Sequence, residues 1–192
     1  FMENEANLSV LGEWAHCHNT NEMLYISIHS GIGVGIIMRN QLVKGKNGYA
    51  GEFGHSIIEI DGRPCPCGNR GCLEQYASAT GVVKVAKRIL AASDAESGLR
   101  SFETLTCKDV FDEAKKGDKL ALEAVEILGK YLGMVLSYLT LGFDPDVFVI
   151  GGGVSKAGTI LTDVVRKYYE KYTVISKEKA QIKLATLEND AG

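Results

Sequence analysis

Residues 52–74 gather side chains suited to metal chemistry. Cys65, Cys67 and Cys72 stand close together in GRPCPCGNRGCLE, His55 precedes them in GEFGH, and Glu52 and Glu74 lie at the two ends. Zinc prefers four soft or borderline ligands in a tetrahedron, and one histidine with three cysteines is such a set. Gly68 and Gly71 let the backbone turn tightly enough for all three sulfurs to face one point, while Pro64 and Pro66 pre-set its extended arms. Unligated thiols this close would oxidise, so the segment reads as a zinc site of His55, Cys65, Cys67 and Cys72. No protein position is left open, which makes the metal structural, and a binding energy of about 10 kcal/mol or more becomes folding energy for the loop. Folding the loop around the ion carries Glu52, just before His55, and Glu74, just after Cys72, toward one place.

The elements that must position this loop follow from periodicity. Residues 6–16 read as a helix, and MLYISIHSG (23–31) reads as a strand that pairs as a hairpin with VGIIMRNQLVKG. Residues 73–92 are helical, KDVFDEAKKGD is a helix closed by Gly117, and Lys119 to Leu141 form a long apolar helix that cannot extend through Pro145. DVFVIGGGVSKAGTILTDVVRKYYEKY is a buried strand, three glycines and an amphipathic helix, and KAQIKLATL supplies a last strand. Strands mixed with long helices, opening on a hairpin, imply an α/β domain with a mixed sheet.

Composition narrows the function classes. The 192 residues are 45% apolar and 23% charged with a formal net charge of −3, so neither disorder nor a strong nucleic-acid field is indicated. No run approaches the roughly 18 apolar residues of a membrane span, and FMENEANLSV lacks the regions of a signal peptide. Five cysteines, three of them crowded, argue for a reducing compartment, so a cytoplasmic location is expected. The chain starts directly on a helical run and stops at LENDAG after a strand, which reads as a fragment of a longer protein.

GEFGH followed by CPCGNRGCLE resembles the signature of the ROK family, the bacterial group of repressors and sugar kinases. Four further segments fall in that family's order: ENEAN (3–7), ISIHSGIGVGII, VFVIGGGVS and the terminal ENDAG. The resemblance spans nearly the whole chain. It implies the actin-like ATPase, ribonuclease-H-like fold, with residues 1–192 as the C-terminal lobe and the N-terminal lobe lying outside this sequence. It also implies a zinc beside a sugar pocket in which Glu52, His55 and Glu74 contact ring hydroxyls and Asn4 and Glu5 complete the set. Carboxylates and amides suit that task because each makes paired hydrogen bonds to adjacent hydroxyls. His55 would serve twice, with one ring nitrogen on zinc and the other on a hydroxyl.

One position departs from the pattern. Kinases of the family use the aspartate of Asn-Asp as general base, whereas here the pair is Asn4-Glu5. The extra methylene moves the carboxylate by roughly 1 Å, a displacement that can cost about 100-fold in rate. ENEAN is also similar to the xylose-repressor branch, in which the kinase scaffold senses a sugar and a separate N-terminal helix-turn-helix domain binds the operator. The expectation is therefore the effector-binding and oligomerisation lobe of a repressor responding to xylose or a related monosaccharide, a homodimer or tetramer that meets DNA only through residues absent here. The alternative is an ATP-dependent sugar kinase with Glu5 as a displaced base. ATP with Mg2+ would then meet the hydroxyl of Ser30 and the amides of Gly31 and Gly33, with adenosine at Gly151, Gly152 and Gly153. Both glycine groups also satisfy the needs of a hairpin and of a strand-to-helix turn.

The remaining signals are structural. His16, Cys17 and His18 point in different directions on a helix end, His29 is expected to be packed or hydrogen-bonded, and Cys107 to be a buried thiol. The stripe Ala121, Val125, Leu128, Leu132 and Val135 is core or a dimer surface. KKGDK and RKYYEKYTVISKEK are solvated faces.

Overall fold

A computed structural model of the chain describes residues 4–16 and 20–187. A five-stranded mixed sheet runs in the order β3-β2-β1-β4-β5, with β1 Met23–Ile28, β2 Ile32–Met38, β3 Gln41–Leu42, β4 Val147–Gly151 and β5 Gln181–Leu184. β1 pairs antiparallel with β2 and parallel with β4, and β4 pairs parallel with β5. The expected hairpin and α/β mixed sheet are both present.

The strands alternate between two buried faces. Leu24, Ile26, Ile28, Phe148 and Ile150 point into the larger core, while Met23, Tyr25, Val147 and Val149 point into a smaller one. Fully burying each large apolar side chain is worth about 1.5–3 kcal/mol. The helix α1 (Glu5–His16) covers the smaller face through Val10, with Leu11 and Trp14 packed beside it. It lies close on the sheet because β2 offers glycine there: a Cβ on Gly35 would fall 2.2 Å from the Ala6 carbonyl oxygen. Glu13 is buried on the same helix, and its carboxylate accepts hydrogen bonds from the Thr186 and Leu187 amides and the Thr186 hydroxyl, which ties α1 to the segment after β5.

The other face carries α2 (Glu74–Ala77), α3 (Ala79–Ala92), α4 (Cys107–Lys115), α5 (Lys119–Phe143) and α6 (Thr159–Tyr172). The single helix read over 73–92 is interrupted at Ser78, whose extended backbone ends α2 and whose hydroxyl caps α3 by accepting from the Gly81 amide. α5 runs two residues past Leu141 and stops at Asp144, which sits in the left-handed region just before Pro145. The stripe Ala121, Val125, Leu128, Leu132 and Val135 is core, buried in the larger cluster. Cys107 is half-buried, and burial pushes its thiol up to about 12. Cys17, His18 and the ENDAG segment lie outside the described residues. Among the described residues no helix is long and apolar enough to cross a membrane.

Candidate functional site

The cysteine loop is a small antiparallel turn held by isolated bridges, Ile57 to Cys72 and Pro64 to Arg70. The Cys65 amide donates to the Asn69 carbonyl and the Gly71 amide to the Arg63 carbonyl, which closes the loop on itself. Gly68 and Gly71 both take positive φ, 97° and 78°, the conformation that glycine adopts without strain. This fold brings the ligand atoms of His55, Cys65, Cys67 and Cys72 within 4.8 Å of one another, a group that could hold a metal ion. Cys65 Sγ lies 3.7 Å from His55 Nδ1, and Cys67 Sγ lies 3.7 Å from Cys72 Sγ. Burial raises the Cys65 thiol and pushes Cys72 up to about 12, whereas the Asn69 amide lowers Cys67. A bound cation would exchange for the protons these thiols retain.

The acidic residues of the loop meet around His55. Glu52 Oε2 lies 3.9 Å from Nε2 and Glu74 Oε1 lies 3.8 Å from Nδ1, so one imidazole separates the two carboxylates. Glu74 is positioned by its neighbours. Gln75 donates to its Oε1 at 3.3 Å, and Lys84 Nζ donates to Gln75 Oε1 at 2.7 Å, which fixes the amide's orientation. Gln75 is buried, yet nothing in its type or spacing marks it in the sequence; only adjacency to Glu74 hints at it.

Asn4 joins the same group from α1. Its Oδ1 accepts from the Ala6 amide at 3.0 Å, capping the helix, and its Nδ2 donates to Glu52 Oε1 at 3.3 Å. Glu5 turns instead toward the hairpin, with Oε1 3.2 Å from His29 Nε2. His29 is hydrogen-bonded, as expected, but its pairing with Glu5 was not legible, since the two belong to elements distant in sequence. Ser30 and Gly31 form the β1–β2 turn beside Glu74: a Cβ on Gly31 would fall 2.9 Å from Glu74 Oε2. Gly33 faces α1, where a Cβ would approach that of Ala6 at 3.3 Å. Gly151 ends β4 against the Tyr25 hydroxyl, Gly152 has φ 82°, and Gly153 opens a 3-10 turn next to His29. The ends of β1 and β4, the start of α1 and the cysteine loop thus share one rim.

The family model described as "ROK family" matches residues 1–192. A glucokinase of Halalkalibacterium halodurans is 38% identical over the whole chain, which spans 60% of that relative's length. A xylose repressor of Bacillus spizizenii is 33% identical over 86% of the chain and 41% of the repressor. A crystal structure of a ROK family glucokinase from Streptomyces griseus, in complex with glucose and AMPPNP, superposes with a TM-score of 0.92 at 32% identity, covering 99% of this chain and 64% of that one. The mixed sheet and its flanking helices are those of the actin-like sugar-kinase fold, and the chain belongs to the ROK family.

Proposed function

We propose that this chain is the C-terminal, sugar-binding lobe of a ROK-family transcriptional regulator whose effector is xylose or a related monosaccharide. The observation that carries the sugar reading is the convergence of Asn4, Glu52, His55 and Glu74 on one rim, with the imidazole between the two acids. Adjacent hydroxyls of a monosaccharide need such closely spaced acceptors and donors, and a ligand lacking a hydroxyl would leave one of them unpaired.

Zinc is the metal this donor set fits. Three thiolates and one imidazole are a structural-zinc set, and Zn–S bonds of about 2.3 Å in a tetrahedron put sulfurs about 3.8 Å apart, close to the separation of Cys67 and Cys72. When bound, it would supply rigidity, holding His55 in one tautomer with Nε2 turned toward Glu52. His55, Cys65, Cys67 and Cys72 would hold the ion, and Asn4, Glu5, Glu52, His55 and Glu74 would contact the sugar.

Glu5 favours a regulator over a kinase. Its carboxylate is engaged by His29, so a base displaced by one methylene would also have a competing partner. A sugar that prefers one arrangement of the lobes would shift the population of that arrangement, and a homodimer would pass the change to DNA-binding domains. The 38% identity to a glucokinase supports the second reading, an ATP-dependent sugar kinase using Mg2+, Ser30, Gly31, Gly33 and Gly151 to Gly153 on the nucleotide side. A coupled assay on the full-length protein separates the two. Sugar-dependent ADP release at ordinary enzyme rates, about 1–1,000 per second, would replace the regulator with the kinase; saturable sugar binding without turnover supports the regulator.

A further inference from the structure

We infer that His29 is a positioning residue for Glu5, holding that carboxylate at the rim with one oxygen engaged and the other available to a ligand hydroxyl. The inference rests on the sugar-binding reading of this rim. His29 Nδ1 accepts a hydrogen bond from the Gly153 amide at 3.3 Å. An accepting Nδ1 places the proton of the neutral ring on Nε2, the nitrogen that faces Glu5 Oε1 at 3.2 Å. The imidazole therefore donates to Glu5, and its tautomer is set by the β4 turn.

The backbone that carries the ring is tied on both sides. The His29 amide donates to the Gly31 carbonyl at 3.0 Å, and the His29 carbonyl accepts from the Ala79 amide at the start of α3 at 2.8 Å. Its Cδ2 packs on Gly152, where a Cβ would come within 2.8 Å. The same turn that aims Glu5 through His29 abuts Glu74 through Gly31, so residues 29–31 set the positions of two of the rim's acids. Glutamate spans the gap to the ring with the methylene that an aspartate lacks, which gives the departure at position 5 a use.

The pair is open to solvent, with side-chain exposures of 39% for His29 and 72% for Glu5. An exposed hydrogen bond of this kind adds little to fold stability, so losing it should register in ligand affinity far more than in melting. The test is calorimetric titration of xylose and of glucose into zinc-loaded full-length protein, as wild type, His29→Ala, His29→Gln, Glu5→Gln and the His29→Ala/Glu5→Gln double variant. His29→Ala should weaken binding about tenfold, and the double variant should bind no more weakly than Glu5→Gln alone. His29→Gln, whose amide offers both an acceptor and a donor, should restore affinity to within about threefold of wild type. Unchanged affinity in His29→Ala, or losses that add in the double variant, would overturn the inference alone. Wild-type protein that binds neither sugar would remove the sugar reading and this inference with it.

Discussion

Glu52 and Glu74 approach one imidazole from its two nitrogens, at 3.9 Å from Nε2 and 3.8 Å from Nδ1 of His55. The nitrogen that faces Glu74 also faces the Cys65 sulfur, 3.7 Å away, so the ring stands between the sulfur cluster and the two acids. If the cluster holds zinc and the rim holds a sugar, as proposed, a change at the exposed Cys67 should be read at the sugar.

Replacing Cys67 with serine tests that dependence. Losing one thiolate of a closed tetrahedral site removes much of the binding energy that folds the loop. Elemental analysis should fall from about one zinc per chain to well below it, with amide exchange rising across residues 56–73 and sugar affinity falling in parallel. Full zinc occupancy, or intact sugar binding without the metal, would contradict it.

Glu74→Ala separates a sugar receptor from an assembly module, a lobe that the metal cluster stabilises and that binds no ligand. The side chain is only 15% exposed and contacts Gln75, Cys65 and the His55 ring. Wild-type protein should melt at a higher temperature as sugar is added, and the variant should lose that response, with Kd raised at least about tenfold. A wild type indifferent to every monosaccharide would favour the assembly module.

Gly71→Ala should damage the loop without touching a ligand atom. Gly71 has φ 78°, and a Cβ there would fall 1.7 Å from the Glu59 carbonyl oxygen. The left-handed conformation alone costs an L-residue about 1–3 kcal/mol, and the clash requires the backbone to move. Zinc affinity measured by competition with a chromogenic chelator should drop, while Gly68→Ala, where a Cβ meets nothing within 4 Å, should cost less.

Asp118 caps the long helix α5. Its carboxylate accepts from the Leu120 and Ala121 amides, and from the Gly98 amide and Ser97 hydroxyl of the preceding loop. Burial opposes ionisation, but these hydrogen bonds outweigh it and hold the group below the usual carboxylate range. A depressed folded-state pKa contributes stability above the unfolded value of about 3.9, lost as pH falls through the folded value. Asp118→Ala should destabilise by about 0.5–2 kcal/mol at neutral pH, and the difference from wild type should shrink in acid. A gap that stays constant from neutral to acid would contradict the carboxylate's role.

Much of the fold was legible because its signals are local. The β1 and β4 runs, the caps and the glycine-rich turns depend on neighbours in sequence, and the spacing of His55, Cys65, Cys67 and Cys72 pointed to the cluster that could hold a metal ion. What was not legible depends on contacts between distant segments. The break at Ser78 arises because α3 must start under the β1 turn, where its Ala79 amide meets His29. The Glu5–His29 pair and the buried Glu13 latch on Thr186 and Leu187 join residues that no spacing rule connects. The choice between core and dimer surface for the α5 stripe likewise needed the helices α3, α4 and α6 that it packs against.

Whether a metal-organised corner shapes a sugar receptor is decided by one titration. Xylose and glucose are titrated calorimetrically into the full-length protein, once zinc-loaded and once after chelator stripping under reducing conditions. The loaded protein should bind a monosaccharide saturably at one site, with affinity weakened at least about tenfold on stripping and recovered when zinc is restored. Equal affinity with and without the metal would contradict it.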